Sequence, residues 1–242
     1  MGSLSTQTRL YRFNILDAAA VVAYVGFMAY FTFAGASVER LMLQFFPEPA
    51  TASYAVNAIF YAAVGIFALA SAWRVVGRDF RILGTRPWFT LGMVPLSVVV
   101  MLIITAILVA ALGGAQSSEN QMGIQGLLQH VPAWLMVPLL VLLGPFVEEY
   151  LFRHLLIGKL SQYVNIWICC IVSTVVFAAI HTIGREGLEL SALAPYLGMA
   201  VVLVGVYVWT GRNLMFSYLV HAAKNLLAVV LIYAVPAELL PS

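Results

Sequence analysis

Three short stretches carry polar side chains of the kinds that perform hydrolysis, each set in otherwise apolar sequence: Glu148-Glu149-Tyr150-Leu151-Phe152-Arg153, Phe177-Ala178-Ala179-Ile180-His181 and His221-Ala222-Ala223-Lys224-Asn225. Each holds a pair four residues apart, which on a helix puts both side chains on one face. Glu149 and Arg153 form such a pair with the acid first, the better orientation for an ion pair. Arg153 can hold Glu149 ionised and leave Glu148 to take a proton from water. A carboxylate and imidazoles meeting in a poorly solvated pocket are suited to activating that water. Imidazole and carboxamide N–H groups at His221 and Asn225 are of the type that stabilises a developing oxyanion. Such chemistry requires no paired nucleophile.

The elements that position these groups are membrane helices. Of the 242 residues, 63% are hydrophobic and 9% charged, and the mean hydropathy is +0.98. Soluble domains carry about 45–50% apolar and about 25% charged residues. A soluble domain, a disordered tail and a nucleic-acid binder with a basic face are therefore excluded, and the net charge of +2 implies no strongly charged partner. Uncharged stretches near the roughly 20 residues needed to cross hydrocarbon run over 18–38, 49–73, 87–118, 160–180 and 190–211. A shorter one, 131–147, leads into Glu148, and the last, 213–237, is interrupted only by Lys224. Alternation of period two is absent, so a barrel is not expected. The expectation is an all-α polytopic transmembrane bundle of about seven spans, a single integral membrane domain over 1–242. Spans four, five and seven build the polar layer.

Orientation follows the positive charges. Arg9, Arg12, Arg74, Arg78, Arg81, Arg86, Arg153, Lys159 and Arg212 fall on one side if seven spans alternate, against Arg40 and Arg185 on the other. This predicts a multi-pass protein of the cell membrane with a cytoplasmic N-terminus. The first apolar run is expected to stay as an anchor rather than be cleaved as a signal peptide. The adjacent Cys169 and Cys170 lie within an apolar run and predict no structural disulfide.

Depth is consistent with convergence. If spans four and five form a hairpin turning near Ser161-Gln162-Tyr163-Val164-Asn165, Glu148 and His181 lie at matching heights, roughly 20–25 Å from the turn. For a last hairpin turning near Gly211-Arg212-Asn213, His221 and Asn225 lie roughly 13–20 Å in. His130 and His154 fall outside the motifs and are expected at the interface. Phe177 is expected to pack.

The order Glu-Glu-x-x-x-Arg, Phe-x-x-x-His, His-x-x-x-Asn on successive membrane helices resembles the CAAX-protease and bacteriocin-processing family of intramembrane proteases, over about residues 133–235. The resemblance implies an intramembrane endopeptidase of the CAAX prenyl endopeptidase type. It implies that Glu148 and His181 activate water, that His221 and Asn225 form the oxyanion site, and that Glu149 and Arg153 orient them. It further implies a membrane-associated peptide or protein as substrate, through either CAAX processing or peptide maturation and bacteriocin self-immunity. Residues 1–130 match no motif. No cofactor is expected. Zinc held by Glu148, His181 and His221 is the rival, disfavoured because no His-Glu-x-x-His is present. Outside enzymology, the same polar layer could serve a non-catalytic scaffold or regulator binding a membrane partner, or a proton-coupled transporter. No inverted repeat supports the transporter.

Overall fold

A computed structural model describes residues 10–112, 119–184, 187–188 and 192–234. Its helices are α1 (Ile15–Leu43), α2 (Pro49–Thr85), α3 (Pro87–Ala111), α4 (Glu119–His130), α5 (Ala133–Gln162), α6 (Ile166–Thr182), α7 (Leu193–Trp209) and α8 (Leu214–Ala234). Between α6 and α7 two-residue strands, β1 (Ile183–Gly184) and β2 (Gly187–Leu188), pair antiparallel. Arg9 and Arg185, used in the charge count, lie outside the described residues.

Local chemistry sets the helix ends. Asn14 caps α1 by accepting from the backbone N–H groups of Leu16 and Asp17, while Asp17 returns a bond to the Asn14 N–H. Pro49 and Pro87 open α2 and α3 at the first turn, where a missing N–H costs nothing. Asn165 caps α6 at the end of the short α5–α6 connection. The α7–α8 turn puts Gly211 and Arg212 at φ 71° and 65°. There the Arg212 N–H bonds the Tyr207 carbonyl and the Gly211 N–H bonds that of Val208, which closes α7.

Each of the seven apolar stretches overlaps a helix within its described residues, but the helix lengths differ from seven full crossings. α2, α3, α5 and α8 are long and apolar enough to span, and α1 makes a fifth if its two limbs, Ile15–Tyr30 and Phe33–Leu43, bent by 72°, count as one. α6 and α7 have 17 residues each, or about 26 Å, short of the roughly 30 Å hydrocarbon layer. The protein is thus an all-α integral membrane bundle with four to five candidate spans. Helix α4 was not expected. Its sequence is neither apolar nor charged enough to stand out, and it packs on α2, α6 and α8.

Lipid offers no hydrophobic drive for helix association, so small residues that allow close approach matter most. Ala68 and Ala72, one turn apart on α2, are fully buried, as is Ala20 on α1. On α7, Gly198 plays the same part against α3: a Cβ added there would sit 2.5 Å from Thr105 Oγ1 and 2.9 Å from its Cα. Because the obstacle includes backbone, Gly198→Ala is expected to force α3 from α7 and lower stability by about 1–3 kcal/mol. Thermal unfolding in detergent measures this, with Gly205→Ala, whose added Cβ meets nothing within 4 Å, as control. Large apolar residues face outward, and Trp73, Trp88, Trp167 and Trp209 are 60–84% exposed. Three of them flank the arginines at 74–86 and Arg212, as interfacial anchors do.

Candidate active site

Helix α5 is the scaffold of the site and departs from a regular α-helix. Its hydrogen bonding widens to the i→i+5 pattern over Pro138–Leu143 and again over Glu149–Lys159, a feature often found at functional positions. In the first wide run the Gly144 N–H bonds the Leu139 carbonyl. The next bond of that pattern would run from residue 145 to Leu140, but Pro145 has no N–H to give. Asn225 Nδ2 supplies the missing donor, bonding the Leu140 carbonyl at 2.9 Å. One carboxamide N–H of Asn225 is thereby committed to α5, a partner that sequence spacing does not predict.

The structure brings Glu148, His181 and His221 together from α5, α6 and α8. Glu148 Oε2 lies 3.6 Å from His181 Nε2 and 3.7 Å from His221 Nε2. The other nitrogen of each ring faces an obligate acceptor: His181 Nδ1 meets the Phe177 carbonyl at 2.7 Å, and His221 Nδ1 meets Glu149 Oε1 at 2.9 Å. Both Nδ1 atoms therefore carry the proton. Each Nε2 presents to Glu148 either a lone pair or, in the imidazolium form, a second N–H. The Oε2–Nε2 separations are longer than a direct hydrogen bond.

Glu149 completes the chain behind His221. Arg153 Nη1 lies 3.1 Å from Glu149 Oε1, and both side chains are wholly buried. The alignment is poor for hydrogen bonding, since all three guanidinium nitrogens lack a well-directed acceptor. The guanidinium instead stacks 4.5 Å over the ring of Phe177, a favourable placement for a desolvated cation. Phe177 is fully buried and packs as expected, with ring centroids 4.5 Å from His181 and 6.1 Å from His221.

Two aromatic residues of the site carry no signal in the sequence. Tyr61 on α2 donates to Glu148 Oε1 at 3.2 Å, although residues 1–130 match no motif. Tyr196 on α7 stacks on His181 at 4.9 Å and 25°, so the imidazole contacts two aromatic rings, this one and Phe177. Only the three-dimensional contact identifies either one, because an isolated Tyr in a membrane helix is common.

His130 is exposed, as expected of an interfacial residue. His154 corrects the same expectation: it is fully buried between Tyr11 and Tyr150. It adjoins a second polar cluster in which buried Asp17 accepts from Lys159 Nζ at 2.6 Å and from Tyr150 and Ser71 hydroxyls at 2.5 Å. Arg78, whose side chain is partly exposed, pairs with Asp79 at 2.6 Å. Asp79 in turn accepts the Leu214 N–H at the start of α8.

Glu148, His181 and His221 offer the donor atoms zinc takes. Among the described residues no group of three or more His, Cys, Asp or Glu is arranged to hold a metal ion.

Fold and site together define a polytopic helical membrane protein with a Glu–His–His cluster between its helices. Residues 130–227, which contain all three motifs, match the family described as "Type II CAAX prenyl endopeptidase Rce1-like". The chain is 28% identical over 145 residues to "Membrane-embedded CAAX protease MroQ" of Staphylococcus aureus (strain USA300), covering 57% of this chain and 55% of the relative. It is 28% identical over 119 residues to "Putative membrane peptidase YdiL" of Bacillus subtilis (strain 168), covering 49% and 45%. The chain thus spans about half the length of the curated relatives it matches. No solved structure matches it.

Proposed function

We propose that this protein is an intramembrane endopeptidase that hydrolyses a peptide bond in a membrane-associated protein or peptide, with water as the nucleophile. The observation that carries the proposal is the position of one carboxylate oxygen, Glu148 Oε2, facing the Nε2 atoms of histidines from two other helices at 3.6 and 3.7 Å. The family match over 130–227 and the names of both relatives support the same activity.

In this mechanism water sits between Glu148 and His181 and attacks the scissile carbonyl carbon as Glu148 Oε2 takes its proton. The carbonyl oxygen becomes an oxyanion, met by His221 Nε2–H and by the second carboxamide N–H of Asn225. Glu149, itself balanced by Arg153, stabilises the imidazolium form of His221 that this donation requires. Collapse of the tetrahedral intermediate breaks the C–N bond, and the proton held by Glu148 passes to the leaving amine. Substrates of the CAAX type and peptides matured or inactivated in the membrane both suit the arrangement.

Cleavage of membrane-associated substrates by the purified protein tests the proposal. His181→Ala at equal folded yield is expected to lower turnover by about 10²- to 10⁴-fold, and a zinc chelator is expected to leave it unchanged. Equal turnover in wild type and His181→Ala would defeat the proposal, whereas loss on chelation with recovery on added Zn²⁺ would transfer the mechanism to a metal.

A further inference from the structure

We infer that Tyr61 is a positioning residue for the reaction, holding the Glu148 carboxylate in the plane that turns one oxygen to the two histidines. The inference rests on the proposed hydrolysis and extends the site to α2, within the part of the chain that carries no motif.

Glu148 is buried, so both of its oxygens need partners. Among the described residues Oε1 receives its hydrogen bond from the Tyr61 hydroxyl at 3.2 Å. With Oε1 occupied, the carboxylate plane is set and Oε2 is the oxygen turned to both imidazoles. A carboxylate free to turn to intermediate angles would aim neither oxygen at the imidazoles and would carry the water out of line with the carbonyl carbon. The tyrosine is itself held: its ring packs against Phe60 at 4.9 Å. Gly144 of α5 lies beside it, where an added Cβ would meet Tyr61 Cε1 and Cζ in ordinary contact at 3.9 Å. The contact also outlasts the proton transfer. Once Oε2 carries the proton from water, Oε1 is a carbonyl oxygen and still accepts from the phenol. Tyr61 therefore holds the same orientation in the base and acid halves of the cycle without exchanging a proton of its own.

Tyr61→Phe removes the hydroxyl and keeps the ring. It is expected to lower kcat by about 10- to 100-fold, the scale of a misplaced reacting group, with KM within about twofold and an unchanged unfolding temperature. The two substitutions act through one group, so Tyr61→Phe added to Glu148→Gln is expected to lower turnover no further. Tyr54→Phe, which removes a hydroxyl bonded to the Leu135 carbonyl on the same two helices, is expected to retain wild-type kcat. Infrared difference spectra of wild type minus Glu148→Gln isolate the carboxylate stretches independently of turnover. These bands are expected to shift in Tyr61→Phe and to stay in Tyr54→Phe. If Tyr61→Phe folds poorly, fluorinated tyrosine at position 61 serves instead, with the bands expected to move in step with phenol acidity.

Wild-type kcat and unshifted bands in Tyr61→Phe, with Glu148→Gln inactive, overturn the positioning role alone. Independent, multiplicative losses in the double variant also overturn it, since Tyr61 would then act elsewhere. Wild-type cleavage by Glu148→Gln instead overturns the hydrolytic proposal, and the role of Tyr61 with it.

Discussion

Glu148→Gln is expected to reduce turnover by about 10³- to 10⁴-fold, the upper range for loss of a general base, with little change in stability. The substitution keeps side-chain shape and preserves an oxygen to accept from Tyr61, which lies 3.2 Å from Oε1. Its NH₂ group would occupy the place of Oε2 and can donate to His181 Nε2, which carries a lone pair in the neutral ring. What disappears is the capacity to take a proton. Loss of cleavage at unchanged unfolding temperature is the result that assigns the base to Glu148. Retained cleavage would require another group to deprotonate the water, and no other carboxylate faces both imidazoles among the described residues.

The second large effect concerns stability and lies in the other polar cluster. Asp17 on α1 is 1% exposed and accepts from Lys159, Tyr150, Ser71 and the Asn14 N–H. Asp17→Ala leaves the buried Lys159 ammonium without a counter-charge and strips two hydroxyls of their acceptor. Breaking a buried pair from one side costs about 3–5 kcal/mol, so the variant is expected to unfold at a markedly lower temperature in detergent. Removing both charges is less damaging than removing one, and the double variant Asp17→Ala/Lys159→Met is expected to recover part of the loss. Equal destabilisation in the single and double variants would show that the hydrogen bonds, not the charge, hold α1 to α5.

The chemistry of the site was more legible in the sequence than its geometry. Glu148, His181 and His221 stand out because charged and imidazole groups are costly in a membrane helix, and the counted depths bring Glu148 and His181 level, with Asn225 near them and His221 shallower, without knowledge of the fold. The α5–α6 turn was legible too, through the polar run ending at Asn165, which caps α6. Helix crossings were less so: α6 and α7 read as spans by hydropathy but contain only 17 helical residues each. The bond from Asn225 to Leu140 depends on a change of helical pitch that spacing rules assume absent. Tyr61, Tyr196 and the burial of His154 come from packing between elements far apart in the chain, for which a single sequence holds no record.

The proline at position 145 contributes through what it lacks. By withholding a hydrogen from the Leu140 carbonyl, it leaves an acceptor to which a side chain of α8 is tethered. Any other amino acid there would introduce a local rival for that oxygen, free to displace the amide of Asn225 without touching it. The rotation of α8 about its own axis, and so the aim of His221 one turn earlier, is thereby tied to an imino acid on a different helix.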